Sequence, residues 1–268
     1  VDGSIATGAA VSVMLIRAGV SPIATLPIAF LAGALAGMVT GLLNTALGIP
    51  GILASILTQI SLYSINLNIM GKANQPVSVD NYPLVVSLRY VTDGSVSRLL
   101  FFLGMIVFLL ALIAVMYWYF GTEQGHAIRA TGCNSNMARA QGINTNFIKV
   151  LALMISNGLV GLCGALYGQF QGASDVNMGR GAIVIGLAAV IIGEVLFGKF
   201  ASKRKLAFAF TLASVILGAV IYYMVYQFVL WLKMPSEDMK LFSAIVVAIF
   251  LAIPYLKEKR TLRKGASK

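Results

Sequence analysis

The chain has 268 residues and a mass of 28.4 kDa, with 59% apolar and 11% charged residues and a mean hydropathy of +0.88. A soluble domain carries about 25% charged residues, so an ordinary soluble enzyme, a disordered chain and a disulfide scaffold are excluded. The formal net charge of +11 is no nucleic-acid stripe, because it is placed in blocks: Lys257, Lys259, Arg260, Arg263, Lys264 and Lys268 at the end, and Lys199, Lys203, Arg204 and Lys205 before it.

Apolar runs fall at about 5–20, 22–48, 50–70, 98–120, 147–170, 182–198, 206–232 and 241–256. They are continuous rather than alternating, which excludes a closed barrel. At roughly 20 residues per span, the expected fold is all-α, a polytopic helical membrane protein with about seven to eight membrane segments. Three runs are short. The first ends at Arg17 and Pro22, the run 182–198 is punctuated by glycine, and 241–256 depends on snorkelling flanks at Lys240 and Lys257. Short re-entrant or broken helices are expected at such places. Basic residues collect on the cytoplasmic side. That places 121–149, 199–205 and the C-terminus inside, where thirteen Lys and Arg oppose Glu123 and Glu258. The segments 71–97, 171–181 and 233–240 are then outside, with Tyr117 to Phe120 closing one span at the inner face and Trp231 another at the outer face.

In chain order, Asp2 to Ala9 reads D-G-S-I-A-T-G-A, and Asp175 to Ala182 repeats its D-x5-G-A frame. Both precede a short apolar run and then a long one, and the parity above runs them in opposite directions. This predicts an inverted repeat, a common transporter construction, with a first repeat at about 1–97 and a second at about 147–256. The helix 147–170 then lacks a counterpart ahead of Asp2. The chain opens on Val1, and one N-terminal span of about 25 residues is expected to be missing. Gly33, Gly37 and Gly41 mark one close-packing stripe, and Gly164, Gly168 and Gly172 a second. Tight packing within one subunit is the expected use of both. Gln59, Tyr63 and Asn66 share one helix face at i, i+4 and i+7. Gln169, Gln171, Asp175 and Asn177 cluster around the second D-x5-G-A element. Polar groups within a membrane either line a path or bond between helices, and the residues alone leave both uses open. The outside loop 71–97, with Pro76, Pro83 and Gly94, is long enough to help receive an external protein.

The chain offers little for catalysis. Gly193 to Phe200 spells G-x4-G-K, but Phe200 stands where a nucleotide site needs Ser or Thr. His126 is the single histidine, and Cys133 and Cys163 lie in different contexts. No zinc, haem or iron–sulfur site is therefore expected. Glu194 is the one carboxylate clearly within a span, and its expected use is structural, paired near the inner interface with Lys199. The connection 121–146 is more telling. Asn134 can cap a short polar helix running to Ala140 and closed by Gly142.

The pattern G-x-x-x-R-A-x-G-x-N-x-x-x-A-x-x-x-G-I from Gly125 to Ile143 resembles the cytoplasmic coupling segment of ABC importer permeases of the branched-chain amino acid and ribose type. The stretch Ile148 to Glu194, the opening V-D-G-S-I-A-T-G-A-A and Leu62 to Met70 resemble a narrower group within them, whose binding proteins are of the tryptophan/tyrosine type. Members of that group usually carry a further helix ahead of the D-G-S motif. The resemblance implies a permease subunit of a bacterial cytoplasmic membrane importer, with separate ATPases holding ATP and Mg²⁺ and no cofactor on this chain. It implies an extracytoplasmic binding protein, a second permease copy as a homodimer, and a cargo that is an amino acid, aromatic ones included, or a similar small polar solute. Thr131, Gly132, Asn134, Met137, Ala138 and Arg139 would contact the ATPase, Met137 as adaptable apolar area and Arg139 as a charged anchor or a purely topological charge. Two rivals remain. A self-sufficient secondary transporter or channel would want paired ionisable residues at mid-membrane, and this sequence offers almost none. A membrane enzyme would require turnover by the chain alone.

Overall fold

Within a bilayer every backbone polar group must be satisfied inside the chain, so long apolar runs fold as helices. The computed structural model describes residues 2–78, 82, 84–87, 95–201, 207–231, 248 and 252. In chain order the elements are α1 (Asp2–Arg17), α2 (Pro22–Thr45), α3 (Gly51–Met70), β1 (Asn74–Pro76) and α4 (Ser95–Phe120). There follow α5 (Glu123–Cys133), α6 (Ser135–Ala140), α7 (Thr145–Gln171), β2 (Ala173–Asp175), α8 (Ala182–Ala201) and α9 (Ala207–Trp231). Among the described residues five helical stretches are long and apolar enough to cross a membrane: Pro22–Thr45, Gly51–Met70, Arg98–Phe120, Thr145–Gln171 and Phe208–Phe228. Ala182–Phe197 is a shorter apolar helix. The expected run 241–256 and the basic cluster 257–268 lie outside the described residues, as do Lys203, Arg204, Lys205, Pro83 and Gly94.

The chain divides into two compact units, 1–180 and 181–268. In the first, α1 and α2 pack on α7, α3 packs on α1 and α2, and small residues set the spacing. Gly33, Gly37 and Gly41 of α2 lie against the α7 backbone at Asn157, Leu153 and Val150. A Cβ on Gly33 would sit 2.3 Å from the Asn157 carbonyl oxygen. Across α7, Gly164 meets Ile5 and Gly168 meets Ala9. The stripe on α7 is thus Gly161, Gly164 and Gly168. Gly172 stands outside it, because its φ of +67° ends the helix in a left-handed turn. All of these contacts lie within one chain, the packing use expected of the glycine stripes.

Helix α1 is shorter than the spans. Its 16 residues reach about 24 Å at 1.5 Å per residue. It begins beside the middle of its neighbours: Gly3 packs on Gln59 and Leu62 of α3, and Ser4 Oγ donates to Asn157 Oδ1 at 2.7 Å. It ends among the connections that follow α3, where Arg17 Nη1 donates to Gln75 Oε1. Val13 and Ile16 pack there with Val77, Tyr82 and Leu84. Strands β1 and β2 pair antiparallel in the register Asn74↔Asp175, Gln75↔Ser174 and Pro76↔Ala173. The turn after β2 then returns to the start of α1, where a Cβ on Gly179 would lie 2.1 Å from the Asp2 carbonyl oxygen. The two D-x5-G-A copies therefore differ in conformation: the first forms the opening turns of α1, the second a strand end and a turn leading into α8.

In the second unit α8 and α9 run antiparallel, with Gly193 against the Ser214 carbonyl and Gly218 against that of Ala189. Ala188, Ile192 and Tyr222 form its core. The G-x4-G-K run lies within the continuous helix α8, which leaves no loop to cradle a phosphate.

The burial pattern inverts that of a soluble protein. The buried side chains of α1 and α2 are mostly Ala, Gly, Ser and Thr. Ile28, Leu31, Leu35, Val39 and Leu42 of α2, and Ile52, Ile56 and Ile60 of α3, point outward. Small residues at helix contacts and large apolar ones outside suit a lipid solvent.

Candidate functional site

Two places bring polar groups together in the first unit. One is a cavity of about 230 Å³ between the start of α1, the middle of α3 and the turn after β2. Helix α1 supplies Asp2 and Gly3, α3 supplies Gln59, Ile60, Tyr63 and Asn66, and the turn supplies Val176, Asn177 and Arg180. The α3 residues line it because i, i+4 and i+7 share a face, as the sequence predicts. Asn66 is fully buried, and neither atom of its amide has a hydrogen-bond partner among the described residues.

Four of the sequence-predicted path residues, Gln59, Tyr63, Asn66 and Asn177, meet in this cavity; the other three do not. Gln169 is buried in α7, its amide nitrogen 3.2 Å from Ser12 Oγ, the Pro22 carbonyl and Thr25 Oγ1, while its oxygen accepts from the Val85 amide at 3.1 Å. That knot ties α7 to α1, α2 and the loop. Gln171 is exposed and donates to Tyr167 Oη at 2.7 Å. Asp175 accepts from the Asn177 amide at 2.7 Å and so shapes the turn. Asp2 and Arg180 line the cavity without having been singled out as path residues. Both belong to the D-x5-G-A copies, and the contact between those copies is tertiary.

The second place is the connection α5–α6. Thr122 caps α5, its Oγ1 accepting from the Gly125 amide at 3.4 Å. Asn134 caps α6 as the sequence predicts, Oδ1 accepting from the Asn136 and Met137 amides at 3.1 and 3.0 Å. Gly142, at φ +82°, follows the end of α6. Met137 is 63% exposed, and Asn134 and Arg139 are exposed with it. Arg139 Nη2 donates to Thr145 Oγ1 at 3.2 Å, which links α6 to the first turn of α7. Ala138 is buried beneath α6. Thr131 is buried too, its hydroxyl unpartnered among the described residues. With Gly132 it lines a cavity of about 560 Å³ shared with Thr40, Asn44, Ser55 and Lys149. The six sequence-predicted coupling residues thus fall into an exposed set (Gly132, Asn134, Met137, Arg139) and a buried pair (Thr131, Ala138).

Helices apolar on the outside, glycine-packed within and bordering a cavity with polar residues in its lining suit a multi-pass membrane protein of the transport class. The chain belongs to the family described as branched-chain amino acid transport system / permease component, which matches residues 1–254. It is 39% identical to the tyrosine transport system permease protein of Clostridioides difficile, over 94% of this chain and 79% of that protein. It is 28% identical to the autoinducer 2 import system permease protein LsrC of Yersinia pseudotuberculosis, over 87% of this chain and 62% of LsrC. It is 25% identical to the inner membrane ABC transporter permease protein YjfF of Escherichia coli, over 66% of this chain and 53% of YjfF. No solved structure matches the chain. The chain is a permease component of an ABC-type transport system, and the family is a transport component rather than an enzyme.

Proposed function

We propose that this chain is the membrane subunit of a bacterial amino-acid importer, driven by separate ATPases that seat on α6. The observation that carries the reading is an exposed, side-chain-capped six-residue helix within a chain of the permease family. ATP-driven closure of two ATPases can move membrane helices only through a stiff element. The Asn134 cap stiffens α6, and the Arg139–Thr145 bond passes its displacement to α7. Met137 supplies the adaptable apolar contact, the exposed Gly132 lies within the same docking surface, and the buried Thr131 and Ala138 back the segment against the bundle. ATP and Mg²⁺ are held by the ATPases.

In this reading the subunit sits in the cytoplasmic membrane with about seven to eight spans, in two inverted halves at about 1–97 and 147–256, its C-terminus inside. It works as a homodimer and receives cargo from an extracytoplasmic binding protein. Gln59, Tyr63, Asn66 and Asn177 line the path, with Gln171 and Asp175 at its approach and Gln169 bracing its wall. The likeness to a tyrosine permease supports an amino-acid cargo, with aromatic side chains the first to test.

Co-purification with the ATPase encoded beside this chain tests the reading. The wild type retains the ATPase, and the Asn134→Pro, Met137→Asp double variant loses it while still eluting as a folded permease. Retention by the variant moves the docking element away from α6. A wild type that binds no ATPase overturns the importer reading in favour of a self-sufficient transporter.

A further inference from the structure

We infer that the cavity bounded by Asp2, Asn66 and Arg180 is a binding site for the zwitterionic head of an α-amino acid, so that this permease itself recognises its cargo. The inference rests on the importer reading above and deepens it. Its first support is Asn66. A buried amide without partners carries an uncompensated desolvation cost, and at membrane depth such a group marks a functional position. Elsewhere in the same bundle Ser4 bonds Asn157, Ser12 bonds Thr25 and Thr40 bonds Thr58, and among the described residues the Thr131 hydroxyl alone shares the unpartnered state of the Asn66 amide. Asn66 is among the residues that line the cavity, so a ligand seated there is placed to supply the partners that the chain does not.

The second support is the pairing of charges. Asp2 and Arg180, one acidic and one basic residue, line the same cavity. A guanidinium matches a carboxylate in fork geometry, and a carboxylate accepts from an ammonium. The Asn66 amide, with both donor and acceptor atoms, serves either group. A neutral sugar needs neither charge, and no group of three or more metal-binding side chains occurs among the described residues. Ile60 and Tyr63 form the apolar wall for a side chain. A volume of about 230 Å³ suits a single amino acid, below the several hundred Å³ of drug-sized pockets.

The test uses the full-length permease in nanodiscs without its binding protein, tritiated L-tyrosine as probe, and two competitors: tyramine, lacking the carboxylate, and 3-(4-hydroxyphenyl)propionate, lacking the ammonium. Saturable binding is expected, with each competitor about tenfold weaker than unlabelled L-tyrosine or worse. Arg180→Gln should erase the discrimination against tyramine, Asp2→Asn that against the propionate, and Asn66→Leu should weaken L-tyrosine about tenfold. Each variant must still elute as a folded permease and retain the ATPase. Equal displacement by all three compounds, variants that leave the ranking unchanged, or no saturable binding of L-tyrosine or L-leucine overturns the site. ATP-driven uptake in proteoliposomes separates the two readings. Uptake without binding by the isolated permease removes the site alone, whereas absence of both uptake and ATPase association removes the importer reading.

Discussion

Gly161 stands where three backbones meet: Gly8 of α1 on one side, Ala29 and Gly33 of α2 on the other. A Cβ on Gly8 would fall 1.9 Å from the Gly161 carbonyl oxygen, and no rotamer relieves a backbone collision. Gly8→Val should therefore cost about 1–3 kcal/mol or more, read as a lower melting midpoint or loss of the monodisperse peak in detergent. Gly104 of α4 has nothing within 4 Å of its would-be Cβ. Gly104→Ala should stay within about 0.5 kcal/mol of wild type, and equal damage at both positions would contradict the packing described. The polar residues divide less simply. Gln169 and Asn66 are both amides on apolar helices, and the sequence marks both as expensive. One is bonded in a knot and the other unpartnered on a cavity, a difference set by neighbours more than a hundred residues away for Gln169.

At the scale of elements, α6 was legible because a cap and a stop are local chemistry: Asn134 before the helix and Gly142 after it. The helix α5 was not anticipated, and its sequence Glu123 to Cys133 holds too few apolar positions for a clear period. The strands were missed for a related reason. Three residues each are too short for alternation to register, and β1 exists only because β2 arrives beside it. Their register predicts a cross-link. With Cys133 and Cys163 replaced by Ser, Asn74→Cys and Asp175→Cys, directly opposed across the pair, should oxidise to a disulfide. The readout is a mobility shift on a non-reducing gel that reductant reverses. Failure to cross-link under mild oxidant would mean that the two connections do not pair in the membrane.

For the molecule as a whole, the basic residues predict an orientation that labelling can check. Single cysteines introduced in the background lacking Cys133 and Cys163 should separate by side. Lys72→Cys, in the connection between α3 and α4, should react with a membrane-impermeant maleimide on intact cells. Asn136→Cys, on α6, should react only after permeabilisation. The reverse pattern would invert the topology and put α6 out of reach of any ATPase.

Composition and hydropathy by themselves determined that the chain lives in a bilayer as helices, because lipid leaves the backbone no other way to satisfy its polar groups. The spacing from Gly125 to Ile143 placed the α5–α6 connection, and local capping placed α6 within it. Tertiary structure decided which glycines touch, since a stripe of small residues says that a partner comes close without naming it. It also decided which polar residues share a cavity. Asp2, Asn66 and Arg180 are separated by 64 and 114 positions in the chain, and only the short helix α1 and the returning turn after β2 bring them together.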